Sequence, residues 1–128
     1  MAKTIRPKDL AVAIEKELRN YNKAVSEKIQ QAVRETADVS VQDIQANAPR
    51  HTGKYRRGWK TKTLFKSEED IRIVVYNRTA PQLTHLLEYG HAKQNGGRVE
   101  GRAHIAPAEQ KAAKSLENKA KVAVKQRG

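Results

Sequence analysis

Ala48-Pro49-Arg50-His51-Thr52-Gly53-Lys54-Tyr55-Arg56-Arg57-Gly58 is the stretch at which the chain changes its period. Pro49 disfavours helical geometry at Ala48, and Gly53 can adopt positive φ, so a helix must end here and the chain must turn. Seven lysines and arginines fall between Arg50 and Lys66 with no acidic residue among them. A hinge set in so basic a surrounding points to a part of an assembly more than to an enzyme.

Upstream of the hinge, Leu10, Ile14, Leu18, Tyr21, Val25, Ile29, Ala32, Val33 and Ile44 recur at helical spacing and line one face. Asn20-Tyr21-Asn22 interrupts the pattern, because asparagines favour turns and caps. The reading is a first helix from Pro7 to Asn20 and a longer second helix from Asn22 to Asn47. Pro7 suits a first helical turn and Asp9 the positive end of the helix dipole.

Downstream, Trp59, Thr61, Thr63 and Phe65 alternate with Lys60, Lys62, Leu64 and Lys66, the pattern of a half-buried strand. Ser67-Glu68-Glu69-Asp70 is a polar turn, and Ile71, Ile73 and Val75 mark a second strand, so the pair reads as a hairpin. Leu83, Leu86 and Leu87 predict a short helix, with Pro81 in its first turn and Gly90 as its C-cap. Residues 91–101, which hold Asn95-Gly96-Gly97, are expected to be a mobile loop. Pro107 opens a final helix with Ala108, Ala112, Leu116 and Ala120 along one side, and residues 121–128 form a basic tail expected to fray. The fold class is α+β: long N-terminal helices, an antiparallel hairpin or small sheet packed on them, a short helix and a C-terminal helix. Residues 1–128 are expected to form a single domain, the natural unit for this length.

Net charge is +12, unevenly spread. Residues 1–48 carry eight basic and seven acidic residues, whereas Pro107 to Gly128 carries six basic and two acidic ones. Such asymmetry suits contact with nucleic acid or with an acidic protein surface, or simply a solubilising exterior. Hydrophobic residues make up 38% of the chain, much of it alanine, so the expected core is modest, small-residue helix packing plus one short sheet, with completion by a neighbouring subunit as an option. With no cysteine there are no disulfides, and no apolar run has the length of a membrane span.

No constellation carries chemistry. His51, His85, His91 and His104 match no standard metal spacing, because Gly90 separates the Glu88 and His91 that follow His85. None of the serines lies in a nucleophile elbow, and Gly96-Gly97 lacks the context of a phosphate loop. No catalytic residue, metal or cofactor is expected. Arg50, Lys54, Arg56, Arg57, Lys60, Lys62 and Lys66 form an electrostatic surface, with Lys60, Lys62 and Lys66 projecting from one strand face. It can neutralise phosphates without reading sequence.

Three motifs stand in order: Ala48-Pro49-x-x-Thr52-Gly53-x-Tyr55-Arg56, Leu86-Leu87-Glu88-Tyr89-Gly90-His91 and Gly101-Arg102-Ala103-His104-Ile105-Ala106-Pro107-Ala108. The set resembles the head–tail joining, or neck, proteins of long-tailed bacteriophages, the tail-component family typified by the tenth gene product of bacteriophage Hong Kong 97. The resemblance runs from Lys8 to Ala120. It departs at Tyr55, where the family usually has leucine, at Gly58, often serine, and at Ala103, commonly proline. It implies a non-enzymatic structural protein of the virion, made in the cytoplasm of a bacterial host and assembling in the particle as a homo-oligomeric ring with other neck and tail proteins, with a monomer as the alternative state of the free protein. Pro49, Thr52 and Gly53 would then fix the helix exit. Glu88, Tyr89 and Gly90 would offer a contact corner, and His104, Ile105 and Pro107 an apolar anchor, unless all nine merely shape the subunit. The alternative reading is a basic protein that binds nucleic acid without sequence preference.

Overall fold

The computed structural model describes residues 11–49 and 53–126. Strand β1 (Val12–Glu17) leads into the long helix α1 (Lys23–Asn47) and a one-turn helix α2 (Gly53–Arg57). Strands β2 (Trp59–Lys66) and β3 (Asp70–Asn77) follow, then helix α3 (Leu83–Tyr89), the short strands β4 (Gly90–Ala92) and β5 (Arg98–Glu100), and helix α4 (Ala106–Gln126). The α+β class is as expected, and so are the hairpin, α1, α3 and α4.

Helix α1 starts where Asn22 caps it, its side chain accepting the Val25 N–H at 2.9 Å. It stops where Pro49 requires, with Ala48 extended at ψ 142°. Its buried side carries Val25, Ile29, Val33, Ala37 and Ile44, together with Thr36 and Ser40. The two hydroxyls need no outside partner, because each donates to the carbonyl four residues back, at 2.7 and 2.8 Å. Against this side lies α4, through Ala108, Ala112, Leu116, Ala120 and Ala123. Small residues let the two helix backbones approach, but each buried methyl contributes only about 0.8 kcal/mol.

The first predicted helix is a strand. β1 lies at one edge of a three-stranded sheet of order β1-β3-β2, antiparallel to β3, with Val12 opposite Val75 and Ile14 opposite Ile73. Ile14 and Leu18 are four residues apart, a spacing that satisfies a helix face and a strand face equally. The decision falls to Val12 and Ile14, β-branched and two apart, which meet the inner face of β3 while Ala13, Glu15 and Glu17 point outward. Tertiary pairing overrides the helical period. Pro7, Asp9 and Leu10 lie outside the described residues.

Central strand β3 buries Ile71, Ile73, Val74 and Val75, and with Val12, Ile14 and Trp59 its inner side forms the core beneath α1. Residues 91–101, read as a loop, instead carry the paired strands β4 and β5, which close around a turn at Gly96-Gly97 with φ of 91° and 80°.

Candidate functional site

The three motifs meet in space at one buried polar joint. Glu88 comes from the C-terminal half of α3 and is only 5% exposed. Its Oε1 accepts the N–H groups of His104 and Ile105 at 2.8 and 2.9 Å, and its Oε2 accepts that of Ala106 at 3.0 Å. These are donors that the start of α4 leaves without an intrahelical partner. A carboxylate from another element thus takes the place of an N-cap, at the positive end of the helix dipole.

His104 is 1% exposed and links this cap to the hinge. Its Nδ1 lies 2.8 Å from the Arg102 carbonyl and 3.0 Å from Glu88 Oε1, while its Nε2 lies 2.7 Å from the Tyr55 hydroxyl. A carbonyl only accepts, so Nδ1 carries the hydrogen, and in the neutral ring Nε2 then accepts from Tyr55. Burial, and secondly the Glu88 charge, push the Tyr55 phenol well above its ordinary range, which keeps it a neutral donor. Tyr55, Trp59 and His104 pack edge to face, with ring centroids 5.8 to 6.3 Å apart.

A second latch holds the hinge to the sheet. Asn77, at the end of β3, donates to the Tyr55 carbonyl at 2.7 Å and accepts the N–H groups of Thr79 and Ala80. The fit leaves no room at Gly58: a Cβ there would overlap the Thr79 hydroxyl and lie 2.7 Å from Asn77 Oδ1. Tyr55 and Gly58 therefore each have a structural role in this chain. The phenol completes the bond to His104, and the missing side chain admits Thr79.

Behind the joint, Gly90 takes φ 81° and its backbone faces that of Gly101 so closely that a Cβ on either would strike the other's main chain. The Arg102 N–H then reaches the Leu87 carbonyl at 2.9 Å, tying the foot of the β4–β5 ribbon to α3.

The predicted contact residues divide. Glu88, His104 and Ile105 were read as available for contact, yet in the subunit they are buried. Glu88 in particular is a structural cap, so charge reversal there is expected to damage the fold and does not isolate a contact. Tyr89 is 58% exposed, and Leu86, three residues earlier on α3, is 40% exposed. Pro107 is exposed in the first turn of α4, Gly53 is exposed at the start of α2, and Pro49 is half-buried. Thr52 lies outside the described residues, as do Arg50 and His51.

The basic strip also divides. Lys54, Arg56 and Arg57 are exposed on α2, and Arg56 donates to the Ala48 carbonyl at 3.1 Å, bracing the helix exit. Lys60 and Lys62 stand on the outer sheet face, opposite Tyr76 and Val74. Lys66 does not join them. A bulge between Thr63 and Phe65 reverses the alternation, so Phe65 faces outward opposite Arg72 and Lys66 sits opposite Ile71 on the inner side. Among the described residues, no three His, Asp or Glu side chains cluster as metal ligands would.

Sequence reasoning missed Asn77 and the pairing of Tyr55 with His104, since neither follows from a local period. Comparison with curated proteins and with solved structures gave no match. One family model, described as "Bacteriophage HK97-gp10, putative tail-component", matches residues 13–90. The match spans β1 to the end of α3, including the Tyr55 hinge and the Glu88 corner, and stops short of the His104 motif to which Glu88 bonds. Glu88 and Tyr55 thus lie inside the matched region and bond to a residue beyond it, and over more than half its length this chain belongs to the HK97-gp10-like family of bacteriophage tail components.

Proposed function

We propose that the protein is a head–tail connector of the neck, or a tail-completion component, which assembles as a ring in the virion alongside other neck and tail proteins. It acts by shape and contact, with no catalytic step. The observation that carries this reading is the buried joint of Glu88, His104 and Tyr55, which fastens α3 and the start of α4 to α2, itself latched to β3 by Asn77. A ring part must transmit its shape to its neighbours, and a buried, hydrogen-bonded junction serves that better than a solvated one. Leu86 and Tyr89 stand exposed on the outer side of the same helix whose inner side holds Glu88, so the contact corner is backed by the joint.

The test is particle assembly with a Leu86→Asp/Tyr89→Asp variant in a phage that carries this gene. Circular dichroism should show a folded subunit, because both side chains are already exposed, and lysates should contain filled heads and separate tails. Normal infectious particles would overturn the contact assignment. Duplex DNA binding by the purified protein should be weak near physiological salt and indifferent to sequence, since the basic groups are positioned to meet phosphates or acidic side chains and carry no base-reading motif.

A further inference from the structure

The three-stranded sheet has two edges of opposite charge. At one edge, β1 presents Glu15 and Glu17 on the outer face, both more than half exposed. At the other, β2 presents Lys60 and Lys62 on the same face. Among the described residues, β1 bonds only to β3 and β2 only to β3, so each keeps a side without a strand partner. Glu15 and Glu17 make exposed ion pairs with Arg72 and Arg19 at 3.7 and 3.1 Å, whereas Lys60 and Lys62 make none among the described residues.

Both edge strands run antiparallel to β3 and therefore parallel to each other. A second copy placed beside the first in the same orientation would bring its β2 against β1 with strand directions matched. The glutamates are two residues apart and so are the lysines, so one register pairs Lys60 with Glu15 and Lys62 with Glu17. Two-fold pairings would instead set glutamates against glutamates or lysines against lysines, which like-charge repulsion opposes.

The flanks fit the same arrangement. Beyond β1 lies an open groove of about 640 Å³ between that strand and α4, lined by Val12, Ile14, Leu116, Ala120 and Val124. On β2 the inner-face residues Thr61 and Thr63 are exposed, so the subunit's own helices do not cover them. In a neighbour's groove they would lie under α4.

We propose that this sheet edge is the subunit interface, with β2 of one copy adding to β1 of the next, head to tail. Such a contact is heterologous and closes into a ring when the rotation permits. The proposal rests on the ring reading given above and names the surface that makes the ring.

The test uses the full chain and charge-swapped variants, with mass measured by sedimentation. Wild type should associate at high concentration, and association should weaken as salt rises. Glu15→Lys/Glu17→Lys and Lys60→Glu/Lys62→Glu should each associate at least about tenfold more weakly, while an equimolar mixture of the two, and the chain carrying all four changes, should recover. If losing the Arg72 pair unfolds the first variant, the second, whose lysines hold no ion pair among the described residues, must still lose association. Wild-type association that survives every swap would overturn this interface and leave the ring reading standing. A wild-type chain still monomeric at millimolar concentration would overturn this interface, and the ring reading would then be decided by the particle-assembly test alone. Association that appears only after removal of residues 1–10 would show the edge covered by the chain's own N-terminal segment, and would also overturn the proposal.

Discussion

The α1–α4 pair and the Glu88–His104 joint both hold the last helix in place, and they do so by opposite physics. Along the pair, Ala108, Ala112, Leu116, Ala120 and Ala123 spread many small apolar contacts over the length of α4. At the joint, one carboxylate receives three backbone N–H groups and lies beside one imidazole, all within a few ångströms. The diffuse seam should tolerate change gradually. The joint should not tolerate loss of the carboxylate at its centre, because that leaves three N–H groups buried and unsatisfied.

The sharpest way to break this contrast is Glu88→Ala. It leaves three N–H groups at the start of α4 buried without their acceptor, and should cost about 4 kcal/mol in urea unfolding. A loss below that of any single seam substitution would invert the comparison. Next in size is Gly58→Ala, which drives a methyl into the Thr79 hydroxyl and should cost about 2 to 3 kcal/mol. Adding Thr79→Ala should return part of that loss, and simple additivity of the two changes would show that the overlap is not the cause.

On the seam, Leu116→Ala should cost about 2 kcal/mol, at the low end for a buried leucine, since its site borders an open groove into which neighbours can relax. Smallest is Tyr55→Phe, which removes one hydroxyl but keeps the ring, for about 1 kcal/mol near neutral pH. The same residue carries a pH signature. Its folded pKa lies above the ordinary value of 10.0, so its contribution is complete below pH 10 and fades as pH rises through the folded value. Stability measured above pH 10 should therefore fall more steeply in wild type than in Tyr55→Phe, and equal slopes would remove Tyr55 from the account.

The difference between seam and joint also explains what could be read in advance. Ala108, Ala112, Leu116 and Ala120 announce a helix face through spacing alone, and Pro49 announces the end of α1 by its own covalent geometry. The β2–β3 hairpin was legible for the same reason, as alternation flanking a polar turn. β1 was not, because Ile14 and Leu18 fit both periods and only the presence of β3 decides between them. The bulge that turns Lys66 away from Lys60 and Lys62 is likewise invisible to counting by twos. Glu88 and His104 were singled out as residues, but their positions inside the subunit depend on a contact across sixteen residues of chain that no local pattern encodes.

The glycine crossing at Gly90 and Gly101 separates two parts of the protein that differ in their freedom to vary. The α3 side of the crossing is tied into the interior, and Arg98 reaches back to the Tyr89 carbonyl, whereas residues 93–97 lie beyond it and are held by the ribbon's own bonds. The ribbon can therefore lengthen or shorten by whole pairs of residues without disturbing the anchorage of α4. In an engineer's terms the Gly96-Gly97 tip is a graft site, where an epitope or a fluorophore can be carried on the outside of the subunit while the packed body stays unaltered.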